Sequence, residues 1–171
     1  MKRKLKRLII IELIIIIGLI LLLTINFLLN YEIKQLESEF NELAVSEQWN
    51  MGEIVTNVSS KCFDTQYNYR YENNDSWYYF NTYDECLIQS VFDYTQDNIN
   101  YVKDEADEII LFPAIILRGG DCEDICIFAS AVLLRLGIDN QIRIIGTFSE
   151  GYHSVIETGY VTIDLLNGFI N

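Results

Sequence analysis

Residues Leu8 to Leu29 form a nearly uninterrupted apolar run of roughly 22 residues, long enough to cross a hydrocarbon core as one helix. The basic stretch Met1-Lys2-Arg3-Lys4-Leu5-Lys6-Arg7 precedes it. Basic flanks stay cytoplasmic, so residues 1–7 are expected as a cytoplasmic tail, 8–29 as a transmembrane signal anchor, and everything beyond as extracellular. A cleavable signal peptide would carry a shorter apolar core, about 7 to 15 residues, and a small-residue cleavage pattern. Leu28-Leu29-Asn30-Tyr31-Glu32 offers none. Glu12 inside the run is costly in lipid and reads as an interfacial residue or a helix contact. From Tyr31 to Glu47, Ile33, Leu36, Phe40, Leu43 and Ala44 recur at helical intervals, so residues 30–47 read as an amphipathic helical stalk or, equally, a solvated spacer.

Setting the first thirty residues aside leaves 7 basic and 24 acidic groups, a net of −17, out of the chain's 12 Lys+Arg and 25 Asp+Glu. Such a surface repels nucleic acid and offers no grip on anionic lipid, so the membrane is expected to be met only through the anchor. Four cysteines stand at 62, 86, 122 and 126. An external location permits a Cys62–Cys86 disulfide, and two unrelated buried cysteines fit equally. Cys122 and Cys126 share a helix face; a zinc site there would need two further ligands, which only His153 and a carboxylate could supply. No metal or cofactor is expected.

Residues 48–171 are the expected soluble domain. Its first part, 48–85, is rich in Tyr, Asn and Asp and lacks periodicity, with short strands expected around Trp77 to Phe80. The aromatic residues there suit a substrate groove or a core. Asn57-Val58-Ser59 and Asn74-Asp75-Ser76 match the glycosylation sequon. A helix is predicted over Cys86 to Lys103, then the solvated acidic run Asp104 to Glu108, then an extended approach, Ile109 to Leu117, around Pro113.

Gly119-Gly120-Asp121-Cys122-Glu123-Asp124 carries the chemistry. The glycines allow a sharp turn, Asp121 is a preferred N-cap, and Cys122 falls on the first helical turn, where free amides favour a thiolate. The helix runs to about Leu136 and stops at Gly137, with Cys122, Ile125, Cys126, Ala129, Val132, Leu133 and Leu136 as its buried stripe. A strand over Gln141 to Phe148 follows. His153 to Asp164 then reads as a hairpin turning at Thr158-Gly159, in which paired positions sum to 317 and His153, the only histidine, faces Asp164 across the ladder. Cys122, His153 and Asp164 thereby supply a nucleophile, a general base and an orienting carboxylate. The neighbouring carboxylates Asp121, Glu123 and Asp124 oppose thiolate formation, which leaves activation to the His153 imidazolium.

Asp121-Cys122-Glu123-Asp124 at the head of an apolar helix, followed by a strand and then by His153 and Asp164, resembles the transglutaminase-like superfamily in its microbial cysteine-peptidase branch. The resemblance covers residues 86–171 and implies an α+β, papain-like core, with a nucleophile helix packed on an antiparallel sheet. It implies Cys122 as nucleophile, His153 as base, Asp164 as orienting group, and a protein or peptide substrate whose amide is cleaved or transferred through a thioester. Two positions depart from the family pattern. Leu111-Phe112-Pro113-Ala114 stands where a Trp or Gln accompanies the proline, and Ser154 replaces an aromatic after the histidine, so the second oxyanion donor is unassigned. A catalytically inactive binding module on the same scaffold, and an adaptor pairing through Glu12, are the competing expectations.

Overall fold

The computed structural model describes residues 2–64, 69–73, 76–103, 109–147 and 151–170, with an α+β architecture. The acidic run 104–108, the Asn74 sequon, and the side chains of Glu12 and of Trp77 to Tyr79 lie outside what is described. The chain divides into two compact units, Met1–Leu36 and Glu37–Asn171. The expected stalk, 30–47, is thus shared between them.

The first unit belongs to helix α1, Lys2–Glu47. One helix near the N-terminus, described from Leu13, is long and apolar enough to span a membrane. Its side chains from Leu13 to Leu28 are all exposed, so no protein surface covers them. The polar groups on this face turn inward: Thr24 Oγ1 donates to the Ile20 carbonyl at 2.8 Å, and Asn30 Nδ2 donates to Asn26 Oδ1 at 3.4 Å. Internal satisfaction of this kind is what a hydrocarbon environment demands.

The second unit is organised around helix α5, Cys122–Arg135, which is buried on every side from Asp124 to Leu133. A helix apolar all round needs cover all round. Helix α2 (Gly52–Ser59) and helix α3 (Tyr83–Asn98) supply part of it through Ile54, Val58, Leu87, Ile88 and Val91, and the end of α1 adds Phe40 and Ala44. Another face is covered by a four-stranded antiparallel sheet in the order β4 (Asn140–Thr147), β5 (Gly151–Thr158), β6 (Thr162–Asp164) and β7 (Gly168–Ile170), through Ile142, Ile156 and Ile163. Each such side chain contributes roughly 1.5–3 kcal/mol by leaving water. The expected α+β class, with a helix packed on an antiparallel sheet, is present; the finer papain-like core is not established by this arrangement.

Strand β4 is an edge, and α1 closes it. Asn41 accepts from the Ile142 amide at 2.8 Å and donates to its carbonyl at 3.1 Å, while Glu37 accepts from the Ile144 amide at 3.0 Å. These side chains act as a substitute strand on groups that would otherwise invite pairing. Residues 37–44 are therefore built into the domain and do not form a spacer.

Several elements differ from the sequence-based expectation. Residues 48–85 hold α2 and a three-stranded meander, β1 (Cys62–Asp64), β2 (Tyr69–Asn73) and β3 (Ser76–Phe80), of which only the last was expected. A disulfide joins Cys62 on β1 to Cys86 on α3, with Cα atoms 6.0 Å apart. Helix α3 starts three residues before Cys86, where Thr82 and Glu85 form a reciprocal capping box, and it ends at Asn98, not Lys103, because Ile99 turns extended. The approach through Pro113 is not wholly extended: Ala114–Arg118 form the short helix α4. Leu136 is only partly buried, and the buried surface of α5 is no single stripe.

Candidate functional site

The turn into α5 is held by the chain on both sides. Gly119 adopts φ +76°, which disfavours any side chain, and Gly120 accepts Asp124 so closely that a Cβ there would stand 2.6 Å from the Asp124 Cβ. The Gly120 carbonyl accepts from the Val102 amide at 2.8 Å, and its own amide donates to Asn100 at 3.2 Å. Tyr101 is thereby brought to the head of the helix. Asp124 accepts from the Asp121 amide at 3.2 Å and from the Ile110 amide at 2.7 Å. Asp121 and Asp124 thus form a reciprocal capping box, as Asp121 at the N-cap led one to expect, while Asp121 Oδ1 is buried without a hydrogen-bond partner.

His153 and Asp164 meet as expected, with Nε2 2.8 Å from Asp164 Oδ1, but by a different register. Ile156 pairs with Ile163 and Glu157 with Thr162, so paired positions sum to 319 rather than 317. The turn is longer because Thr158 Oγ1 accepts from the amides of Tyr160 and Val161, at 3.1 and 3.0 Å, and closes a wider connection than Thr158-Gly159 alone. A two-residue shift preserves the face, so His153 still reaches Asp164 as a diagonal neighbour. Asp164 Oδ1 also accepts from the amides of Leu166 and Asn167 at 2.9 and 3.1 Å, and Oδ2 from Asn167 Nδ2 at 2.8 Å. Burial alone would raise the Asp164 pKa; hydrogen bonds from Asn167, His153 and Leu166 outweigh it and hold the group below its ordinary 3.8. The carboxylate side chain is 6% exposed and the imidazole 24%.

The strand next to this corner bears on Cys122 through one backbone amide. Ile142 and Ile144 turn their amides to the α1 edge, so Ser154, paired with Ile144, turns its own N–H toward the β6 side. The β5–β6 ladder ends at Ile156–Ile163, leaving the Ser154 amide open beyond it. Burial raises the Cys122 pKa, the Ser154 amide lowers it, and the charges of Glu123 and Asp121 and the Glu123 hydrogen bond raise it again. The net direction is upward, opposite to the expectation for a helix N-terminus.

No protein-family model, curated protein or solved structure matches this chain. Function is therefore argued from the geometry of these residues. Strand alternation places His153 and Asp164 on the sheet face opposite Ile142, Ile156 and Ile163, and among the described residues no hydrogen bond joins Cys122 to His153. Sγ instead donates to Glu123 Oε2 at 3.5 Å. Two of the three expected residues are bonded together, and the third is bonded to a carboxyl on its own helix.

Asn167, Glu123 and Tyr101 were not among the expected site residues. Glu123 was legible as a neighbouring charge, Asn167 and Tyr101 only through tertiary contact. Tyr101 is held protonated by partial burial and then by the charges of Cys122, Asp121 and Glu123. Cys126 is buried, which pushes its thiol well up. Among the described residues, the ligand-type atoms that gather within 4.8 Å are those of Asp121, Cys122 and Glu123, not the Cys122, Cys126 and His153 set considered for zinc. A polar recess of about 470 Å³ lined by Asp139, Asn140, Gln141, Glu157, Thr158 and Gly159 lies at the far end of the β4–β5 ladder. Five residues of strand, about 17 Å, separate Thr158 from His153.

Proposed function

We propose that this chain is a membrane-anchored, transglutaminase-like cysteine peptidase or acyltransferase that works through a papain-like arrangement of Cys122, His153 and Asp164. The observation that carries the reading is the His153–Asp164 pair at 2.8 Å between β5 and β6, with the Ser154 amide next to His153 acting to lower the pKa of the thiol at the head of α5. Asp164 binds Nε2, which leaves Nδ1 as the nitrogen for the thiol proton. The Cys122 sulfur attacks an amide carbonyl carbon as its proton passes to His153. The C–N bond breaks with that proton on the leaving amine, and water or a second amine opens the thioester and regenerates the thiol. The Cys122 amide is one oxyanion donor. Protein or peptide amides are the proposed substrates, with α1 as the membrane contact and no cofactor. The basic N-terminal tail and the Cys62–Cys86 disulfide support a cytoplasmic N-terminus with the domain outside.

The test is labelling and turnover of the full chain in detergent micelles. Wild-type protein is expected to react with a thioester-forming amide probe and Cys122→Ala to lose both reaction and turnover; a Cys122→Ala protein that still turns over substrate overturns the assignment. A second reading, an inactive binding module on the same scaffold, is favoured by the raised thiol and its bond to Glu123. It predicts no turnover by wild type under any condition.

A further inference from the structure

Cys122 lies between two acidic side chains. Its thiol donates to Glu123 Oε2 at 3.5 Å, and the carboxyl oxygens of Asp121 and Glu123 reach within 4.8 Å of the sulfur and of each other. Two carboxyl groups this close to one another favour a proton on one of them. Asp121 Oδ1 is buried without a hydrogen-bond partner. Burial first, and then Asp121, push Glu123 up to about 7. The other groups that bear on this cluster are Cys126 on α5, Tyr101 from the segment beside Gly120 and the Ser154 amide on β5, with Asp164 on β6 acting on Cys126.

We propose that Glu123 is a positioning residue that keeps the Cys122 thiol protonated and turned toward the Asp121–Glu123 pair. The thiol then becomes a nucleophile only when its side chain leaves Glu123. In geometric terms, the resting Sγ is bonded to a carboxyl on its own helix, with a second carboxyl beside it. The proposal rests on Cys122 as the reactive thiol of the preceding section but not on turnover.

Alkylation of the full chain in micelles by iodoacetamide, mapped by peptide so that Cys126 is scored separately, tests it between about pH 5 and pH 10. Glu123→Gln is expected to move the Cys122 midpoint to lower pH. It should raise the rate at pH 7.5 about 3-fold or more, since the thiolate fraction below the midpoint changes about tenfold per pKa unit. Glu123→Asp keeps the charge and should stay nearer wild type, and Asp121→Asn should shift the midpoint in the same direction as Glu123→Gln. Far-UV circular dichroism verifies that each variant is folded. A midpoint that Glu123→Gln leaves unchanged or moves upward overturns the proposal. A profile that moves in a protein with no amide turnover keeps Glu123 in this role and removes the enzyme reading; turnover with an immobile profile does the reverse.

Discussion

Asp164 and Glu123 are both carboxyl groups withdrawn from water beside the same proposed centre, yet they are driven in opposite directions. Asp164 collects the Leu166 and Asn167 amides, the Asn167 side chain and His153, and is held below its ordinary pKa despite burial. Glu123 has an acidic neighbour in place of those donors, and burial carries it up to about 7. Burial is common to both; the supply of N–H donors decides the outcome. The β6–β7 turn is thus built to hold a charge, and the first turn of α5 to hold a proton.

The largest expected effect tests the donor-rich side. Asp164→Ala strands those donors in a buried corner and is expected to lower stability by about 2–4 kcal/mol, measured by chemical denaturation of the full chain in micelles. A loss under about 0.5 kcal/mol would mean the corner is not what holds the turn. Asn167→Ala removes only part of the donor set and should cost about 1–1.5 kcal/mol, with the Asp164 titration moving upward in carboxyl-resolved NMR. Glu123→Gln should differ in sign, being neutral or stabilising by up to about 1 kcal/mol at neutral pH; equal losses from Glu123→Gln and Asp164→Ala would erase the contrast.

The same contrast sets the pH dependence. Asp164, lowered from 3.8, contributes stability above that value and loses it as pH falls through its folded pKa. Glu123, raised from 4.5 to about 7, contributes stability fully below 4.5 and loses it as pH rises through about 7. Melting curves across pH should therefore show stability rising out of the acid range and declining toward neutrality, and Glu123→Gln should flatten only the second limb. The smallest expected change is a control away from both corners. Tyr160→Phe deletes an exposed hydrogen bond to Asp84 at 2.7 Å and should shift stability by no more than about 0.5 kcal/mol.

Parts of this fold were legible for identifiable reasons. The apolar run and helix α5 carry long, strong patterns. The His153–Asp164 partnership survived a wrong register because strands have a period of two: a slip of two residues keeps the face, whereas a slip of one would have sent the histidine to the core side. The register itself was lost at Thr158, whose hydroxyl gathers two amides that a Thr-Gly reading ignores. The start of α3 was marked in the sequence by Thr82-Tyr83-Asp84-Glu85, a capping pattern that the apolar periodicity overshadowed. Strands β1 and β7 are three residues each, too short for alternation to register. The role of Glu37 and Asn41 as an edge cover was invisible for another reason: it depends on β4 lying about a hundred residues away in the chain.

The sequence alone determined an anchor-length apolar helix, a buried helix headed by Cys122, and a histidine and an aspartate on one face of a sheet. Each of these follows from local composition or from a short repeat. Which neighbour the Cys122 thiol addresses was decided only by the tertiary structure. That choice depends on where β6 stops, which way the Ser154 amide turns, and how few donors reach Asp121 and Glu123, and these are distances between groups that no local pattern encodes.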